Sequence, residues 1–108
     1  MDEKISILQF KTNGEWGVIE IPNTLEALQK AVGGYIEVTP IFSGIVMIYD
    51  DKGRIKRKEI NPYLTEIHGD FILCGTSCGE IRSLSYEEKM IMAVFLCGGY
   101  ESARKGVL

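Results

Sequence analysis

Turn and helix-stop signals recur at short intervals along this chain and limit it to short elements. Glycine-containing signals stand at residues 13–14, 33–34, 51–53, 75–79 and 98–99. Glycine adopts positive φ without steric cost, so these positions are typical of tight turns and helix ends. The intervals between them fit single helices or pairs of short strands, and a chain of 108 residues fits one domain.

β-branched and aromatic residues fill most of these intervals, which is typical of strands. We predict an antiparallel hairpin of residues 4–11 and 15–21, joined at Asn13-Gly14 by a two-residue type I′ turn. A loop is expected at residues 61–69. Further strands are predicted at residues 35–42, 44–49, 54–60 and 70–74.

Capping residues mark the first helix. Asn23 is a good N-cap, and Glu26 stands three positions later, as in a capping box. An apolar stripe continues to Val32, and Gly33-Gly34 can close the helix end. We therefore predict a helix over residues 24–32.

Ser85 and Glu88 form a second capping box, at the start of the last helix. Gly98-Gly99 is expected to end this helix, and the tail of residues 100–108 is expected to be loosely held. The apolar face is wider than one sheet requires, so burial against the sheet and a partial oligomer contact are both open. Its main members are Met90, Ile91, Val94 and Phe95, and Leu96 and Cys97 widen it.

These elements predict one α+β domain over residues 1–108. It would contain a mainly antiparallel sheet of about five or six strands with two helices packed on it. The composition agrees, because 45% hydrophobic and 25% charged residues lie within the globular range.

The net charge, the N-terminus and the cysteines indicate which partners and which cell compartment to expect. A net charge of −3 disfavours non-specific nucleic-acid binding by the whole surface. The N-terminal Met-Asp-Glu-Lys has acidic residues where a signal peptide has positive charge, and we expect no membrane association. Three cysteines without a framework spacing suggest reduced thiols, so the protein is expected in a cytoplasm.

A basic segment is the clearest charge asymmetry. It holds five of the twelve basic residues, which on a strand would project mostly from one face. One interpretation is an edge strand protected from aggregation; the other is an anion site for a nucleotide, a nucleic acid or an acidic partner. The residues are Lys52, Arg54, Lys56, Arg57 and Lys58.

A glycine-bounded stretch, Gly75 to Gly79, follows a predicted strand, as a phosphate-binding loop would. It lacks the G-x-x-x-x-G-K-[ST] spacing, and no helix begins after it. Backbone N–H groups of Gly75, Thr76 and Ser77 facing an anion are one interpretation, and a simple hairpin turn is the other.

We assign no catalytic residue, metal site or cofactor from the sequence. Cys74 and Cys78 form one loose pair, with His68 and Cys97 as the other conceivable ligands, unlike the tandem pairs of structural zinc sites. The pair His68 and Cys74 could suggest a thiol enzyme, but a lone histidine is more often structural.

Two short motifs carry a resemblance to a known family. Residues 21–26 read I-P-N-T-L-E and residues 32–37 read V-G-G-Y-I-E. Looser matches follow at residues 50–53, Asn61, 67–70 and 83–88. Over residues 18–88 the chain resembles an uncharacterised domain family of phages and bacterial mobile elements.

The resemblance implies a phage or mobile-element setting, and with it the cytoplasm of a bacterial host cell, but it carries no activity and no site residues. Small accessory proteins of phages often bind a host defence protein or its signalling nucleotide. We therefore expect a non-enzymatic binding protein of that kind, with a nucleic-acid-binding accessory protein as the alternative.

Overall fold

Six antiparallel strands form one open sheet, and a helix packs on each of its faces. The computed structural model describes residues 3–105, with side chains as far as Cys97. The predicted α+β class is confirmed. The elements are β1 (Lys4–Phe10), β2 (Trp16–Pro22), α1 (Leu25–Val32), β3 (Ile36–Phe42), β4 (Ile45–Asp50), β5 (Phe71–Ser77), β6 (Glu80–Arg82) and α2 (Tyr86–Lys105).

The strand order is β2-β1-β5-β4-β3, so β2 and β3 form the two edges. Strand β5 lies in the centre, between β1 and β4. Its last residues, Gly75 to Ser77, pair with the short β6 beyond the end of the β1 pairing. No helix of the described residues is long and apolar enough to cross a bilayer.

The sheet separates two hydrophobic cores. Strand β4 contributes to both, because its successive side chains point to opposite faces. Ile45 and Met47 enter the core under α2, whereas Val46 and Ile48 enter the core under α1. The core under α2 also contains Leu8, Phe10, Ile67, Phe71, Leu73, Leu84, Met92 and Leu96. The core under α1 also contains Ile5, Ile7, Leu28, Val32, Ile72 and Cys74.

The first hairpin is confirmed, but its turn is not of type I′. Of its two central residues only Gly14 has positive φ, and the Lys11 N–H bonds to the Glu15 carbonyl across a longer loop. The type I′ geometry occurs instead between β5 and β6, where Cys78 and Gly79 have φ of 52° and 80°.

The return strand predicted at residues 54–60 is wrong. Residues 51–57 form helical turns, and only Ile60 makes a strand-like bridge, to His68. Residues 61–69 then cross the face under α2, where the Asn61 side chain donates to the Phe10 and Gly69 carbonyls. Strand β5 is also longer than predicted, since it continues through the expected loop to Ser77.

The first helix is correctly placed, but its N-cap is Thr24. The Thr24 hydroxyl accepts the N–H of Ala27, whereas the Asn23 amide donates to the Ile81 carbonyl. At its end Gly33 takes φ 78° and closes the helix as predicted.

Helix α2 begins at the predicted capping box, because Ser85 and Glu88 exchange hydrogen bonds between each side chain and the other's N–H. Gly98-Gly99 does not end it, since the backbone stays helical to Lys105. Glycine permits a helix end but does not impose one; inside a helix it costs about 1 kcal/mol relative to alanine. Of the predicted tail, residues 106–108 lie outside the described residues.

The predicted apolar face of α2 is buried only in part. Met92 and Leu96 are buried, four and eight residues after Glu88 and so on its side of the helix, and Cys97 is half-buried. Polar contacts set this rotation: Glu88 pairs with Arg82, and Lys89 Nζ donates to the Ser6 hydroxyl. The main predicted members, Met90, Ile91, Val94 and Phe95, are all exposed.

Candidate binding site

The basic segment forms one helical turn directly after β4. The Arg57 N–H donates to the Arg54 carbonyl, and the Lys58 N–H donates to the Gly53 carbonyl. These are the two bonds of a Schellman closure, and Arg57, at φ 61°, occupies the left-handed position usually filled by glycine. The segment therefore reverses direction, and its cations do not line one side of a strand.

Two of its lysines surround a buried carboxylate. Asp50 Oδ2 lies 2.7 Å from Lys58 Nζ and 2.9 Å from Lys56 Nζ, and its side chain has no exposed surface. Its Oδ1 accepts the N–H of Lys52 at 2.9 Å. A buried charge is costly unless it is paired and hydrogen-bonded, and Asp50 has both kinds of partner.

The same lysines hold the end of α1. Lys58 Nζ donates to the Val32 carbonyl at 2.9 Å and to the Gly33 carbonyl at 3.1 Å, and Lys56 Nζ lies 3.4 Å from the Gly33 carbonyl. Cations at this end of a helix satisfy free carbonyls and oppose the negative end of its dipole. Asp50, Lys56 and Lys58 thus form an anchor that joins β4, the basic turn and α1.

The hydrogen bonds within the anchor stabilise the charged form of the Asp50 carboxylate. Burial raises the pKa of Asp50, but hydrogen bonds from Lys58, from the Lys52 N–H and from Lys56 outweigh it. The pKa of Asp50 is therefore lowered to about 2. At neutral pH this carboxylate is charged and offsets part of the positive charge of the segment.

The other three cations of the segment are available to a ligand. The side chains of Lys52, Arg54 and Arg57 are exposed, and none has an ion pair or hydrogen bond with the described residues. Lys30, on the last turn of α1, is likewise exposed and without such a partner.

A cleft of about 480 Å³ opens beside the anchor, between the end of α1, the turn and the start of β5. Its volume lies in the range of small-ligand sites, roughly 300–1,000 Å³. Three cations line it: Lys30, Arg57 and Lys58. The structure thus brings two predicted residues, Arg57 and Lys58, together with Lys30, which sequence reasoning missed.

Hydrogen-bond acceptors line the cleft together with these cations. They are the carboxylates of Glu59 and Asp70, and Asp70 Oδ1 accepts the N–H of Thr12 at 3.0 Å. Ala31 and Val32 add a small apolar wall. The lining therefore offers cations to an anionic group and carboxylates to hydroxyl or amino donors.

The stretch with the predicted anion loop forms the end of β5 and a hairpin turn. Gly75, Thr76 and Ser77 belong to β5 and pair with β6, and the Thr76 N–H donates to the Gly44 carbonyl. The Ser77 hydroxyl accepts a hydrogen bond from Arg82 Nε. The structure does not bring these three residues together with the cations of the basic segment in the cleft.

The cysteines and the histidine do not converge. Burial raises the pKa of Cys74 to about 12, which disfavours the thiolate that a nucleophile requires. His68 Nδ1 lies 3.1 Å from the Lys58 carbonyl. Within the described residues, no three His, Cys, Asp or Glu side chains are grouped to hold a metal ion.

The residues that sequence reasoning missed come from distant parts of the chain. Thr12 follows β1, Lys30 lies on α1, and Asp70 precedes β5. One signal was present: Asp50 ends an apolar strand whose other residues are mostly buried. A carboxylate there requires cationic partners, and the nearest in sequence are those of the basic segment.

Comparison with known proteins adds a family but no activity. No curated protein and no solved structure matches the chain. A family model described as Domain of unknown function (DUF3846) matches residues 5–96, which include the anchor, the cleft lining and both helix caps. This agrees with the resemblance of residues 18–88 to an uncharacterised family. Because the match covers most of the 108 residues, the chain belongs to the family of the domain of unknown function DUF3846.

Proposed function

We propose that this protein is a non-enzymatic binding protein whose ligand is a small phosphate-bearing molecule of the nucleotide class. The observation that carries the proposal is the cleft of about 480 Å³ with two unpartnered cations, Lys30 and Arg57, at its rim. Charge-assisted hydrogen bonds from lysine and arginine are the usual means of holding phosphate oxygens.

The acceptors in the cleft favour a nucleotide over inorganic phosphate. Carboxylates such as Glu59 and Asp70 would repel a bare anion, but they can accept hydrogen bonds from ribose hydroxyls or base amino groups. A molecule with a phosphate at one end and donors at the other fits both parts of the lining.

The motifs at residues 21–37 support the proposed setting. Their resemblance is to proteins of phages and mobile elements, where a nucleotide-binding accessory protein in the host cytoplasm would withdraw a signalling nucleotide from a defence system. Binding a host defence protein is the other form of this proposal, and a failure of every nucleotide to bind would favour it.

The test is titration calorimetry with a panel of mononucleotides and cyclic dinucleotides, beside native mass spectrometry of gently purified protein. We expect one nucleotide per chain, and Arg57→Glu or Lys30→Glu should weaken binding at least about tenfold, because each replaces an attraction with a repulsion. The matched control is Lys52→Glu, which reverses an equally exposed charge outside the cleft.

Nucleic-acid binding is the second candidate, supported by three unpartnered cations on one turn. It predicts that Lys52→Glu and Arg54→Glu weaken binding of a short oligonucleotide as much as Arg57→Glu does, with a steep salt dependence. A Kd of about 1 mM corresponds to a binding free energy of roughly −4 kcal/mol. If no nucleotide binds at concentrations up to about 1 mM, the cleft proposal is wrong.

A further inference from the structure

The outer face of α2 is a large apolar surface that faces solvent. Its side chains are between 51% and 75% exposed, although all are large and apolar or aromatic. Among the described side chains of α2, Met92 and Leu96 enter the core on the other side of the helix, and Cys97 packs partly against it. We call this the α2 outer face: Tyr86, Met90, Ile91, Val94 and Phe95.

The surface continues onto the edge of the sheet. The Phe42 ring, on edge strand β3, packs edge-to-face against Phe95 with ring centroids 5.8 Å apart, and Phe42 is itself 48% exposed. Fully buried aromatic side chains cover roughly 150–250 Å² each, so at these exposures the combined patch presents on the order of 600 Å². A standard protein interface buries about 800 Å² per partner, and the patch supplies most of that area.

The chemistry of the face suits a copy of itself. No charged residue occurs in the sequence from Met90 to Tyr100. Of the neighbouring charges on the helix, Glu88 is engaged by Arg82 and Lys89 by Ser6, whereas the exposed Glu87 stands next to Tyr86 at the end of the face. A two-fold contact sets the same surface against itself, so the uncharged stretch from Met90 to Phe95 is self-complementary without repulsion.

We propose that the α2 outer face is the interface of a homodimer, in which the α2 helices of two copies pack across a two-fold axis. The interface is apolar along both helices, as is typical of homodimers whose contact resembles a domain core cut in half. Phe42 of each copy lies at its rim.

Sedimentation velocity over protein concentrations of about 1–100 μM tests this proposal. Wild-type protein should sediment as a dimer at the upper concentrations, and Val94→Glu should weaken the dimer at least about tenfold, because it buries an unpaired carboxylate in the interface. The matched control is Val18→Glu on edge strand β2, since Val18 is also a highly exposed valine.

Two outcomes would overturn the proposal: a wild-type monomer at every concentration, or equal effects of Val94→Glu and Val18→Glu. Circular dichroism establishes that both variants are folded. If Val94→Glu does not fold, the wild-type Tm decides, because a dimer that is coupled to folding has a Tm that rises with concentration. A Tm independent of concentration, with a monomer in sedimentation, contradicts the dimer.

Discussion

Asp50 is the residue through which β4 is joined to the basic turn and, by way of its lysine partners, to the end of α1. Its carboxylate receives both lysines of the anchor and the Lys52 N–H. A Cβ on Gly34 would lie 2.5 Å from the carboxylate, so glycine is required there for steric reasons. A Cβ on Gly53 would similarly collide with the carbonyl of His68.

Lys58 should contribute to stability, unlike the exposed Lys52 of the same segment. Lys58→Met removes the closest partner of a buried carboxylate and the donor to two helix carbonyls. We expect the free energy of unfolding to fall by roughly 2–4 kcal/mol in urea titrations, since breaking a buried pair typically costs 3–5 kcal/mol and Lys56 remains.

The control is Lys52→Met, which removes an exposed charge of the same type. Its side chain has no partner among the described residues, so unfolding should change by less than about 0.5 kcal/mol. Equal losses in the two variants would show that the anchor is not a structural unit.

At the scale of elements, caps decide where α1 begins. Thr24→Ala should cost about 1 kcal/mol in the free energy of unfolding, because the Ala27 N–H loses its acceptor. Asn23→Ala loses only an exposed hydrogen bond to the Ile81 carbonyl and should cost less than about 0.5 kcal/mol. Thermal unfolding of both variants measures the difference, and the reverse order would restore Asn23 as the cap.

Helix α2 is positioned by polar contacts at its first turn. Arg82 bonds both oxygens of Glu88 and also the carbonyls of Ser83 and Gly44. Gly75 leaves space for this guanidinium, because a Cβ there would collide with it. These contacts direct Met92 to the sheet, and the more apolar side of the helix remains outside.

For the whole molecule, two carboxylates couple stability to acid. Hydrogen bonds from Arg82 outweigh burial at Glu88 and lower its pKa to about 2, as the anchor does for Asp50. The pKa of such a carboxylate is lower in the folded state than in the unfolded state. As the pH falls, the unfolded state therefore binds the proton first. Its contribution to stability is complete at neutral pH and is lost as the pH falls from about 4.5 to 2.

We therefore expect the free energy of unfolding of wild-type protein to decline over this pH range. Asp50 alone should account for about 2 kcal/mol, at 1.36 kcal/mol for each unit of pKa difference. Asp50→Asn should flatten the pH dependence, whatever its effect at neutral pH, and Asp51→Asn at the exposed next residue should not. Parallel pH profiles for wild type and Asp50→Asn would contradict the lowered pKa.

Local chemistry sufficed to predict the α+β class, the first hairpin, α1 and the capping box of Ser85 and Glu88. Strand alternation, capping and glycine at a helix end act over a few residues, so they are legible in the chain itself. The basic segment was also visible, and two of its members, Arg57 and Lys58, line the cleft.

Tertiary structure decided the rest, because those features depend on partners far away in sequence. The basic segment becomes a turn since Asp50 and the end of α1 require its lysines, and the cleft needs Lys30 and Asp70 from separate elements. Which side of α2 is buried follows from Arg82 and Ser6, not from its apolar stripe. Hydrophobic periodicity predicts that a helix will be buried, but fixed polar contacts determine which side.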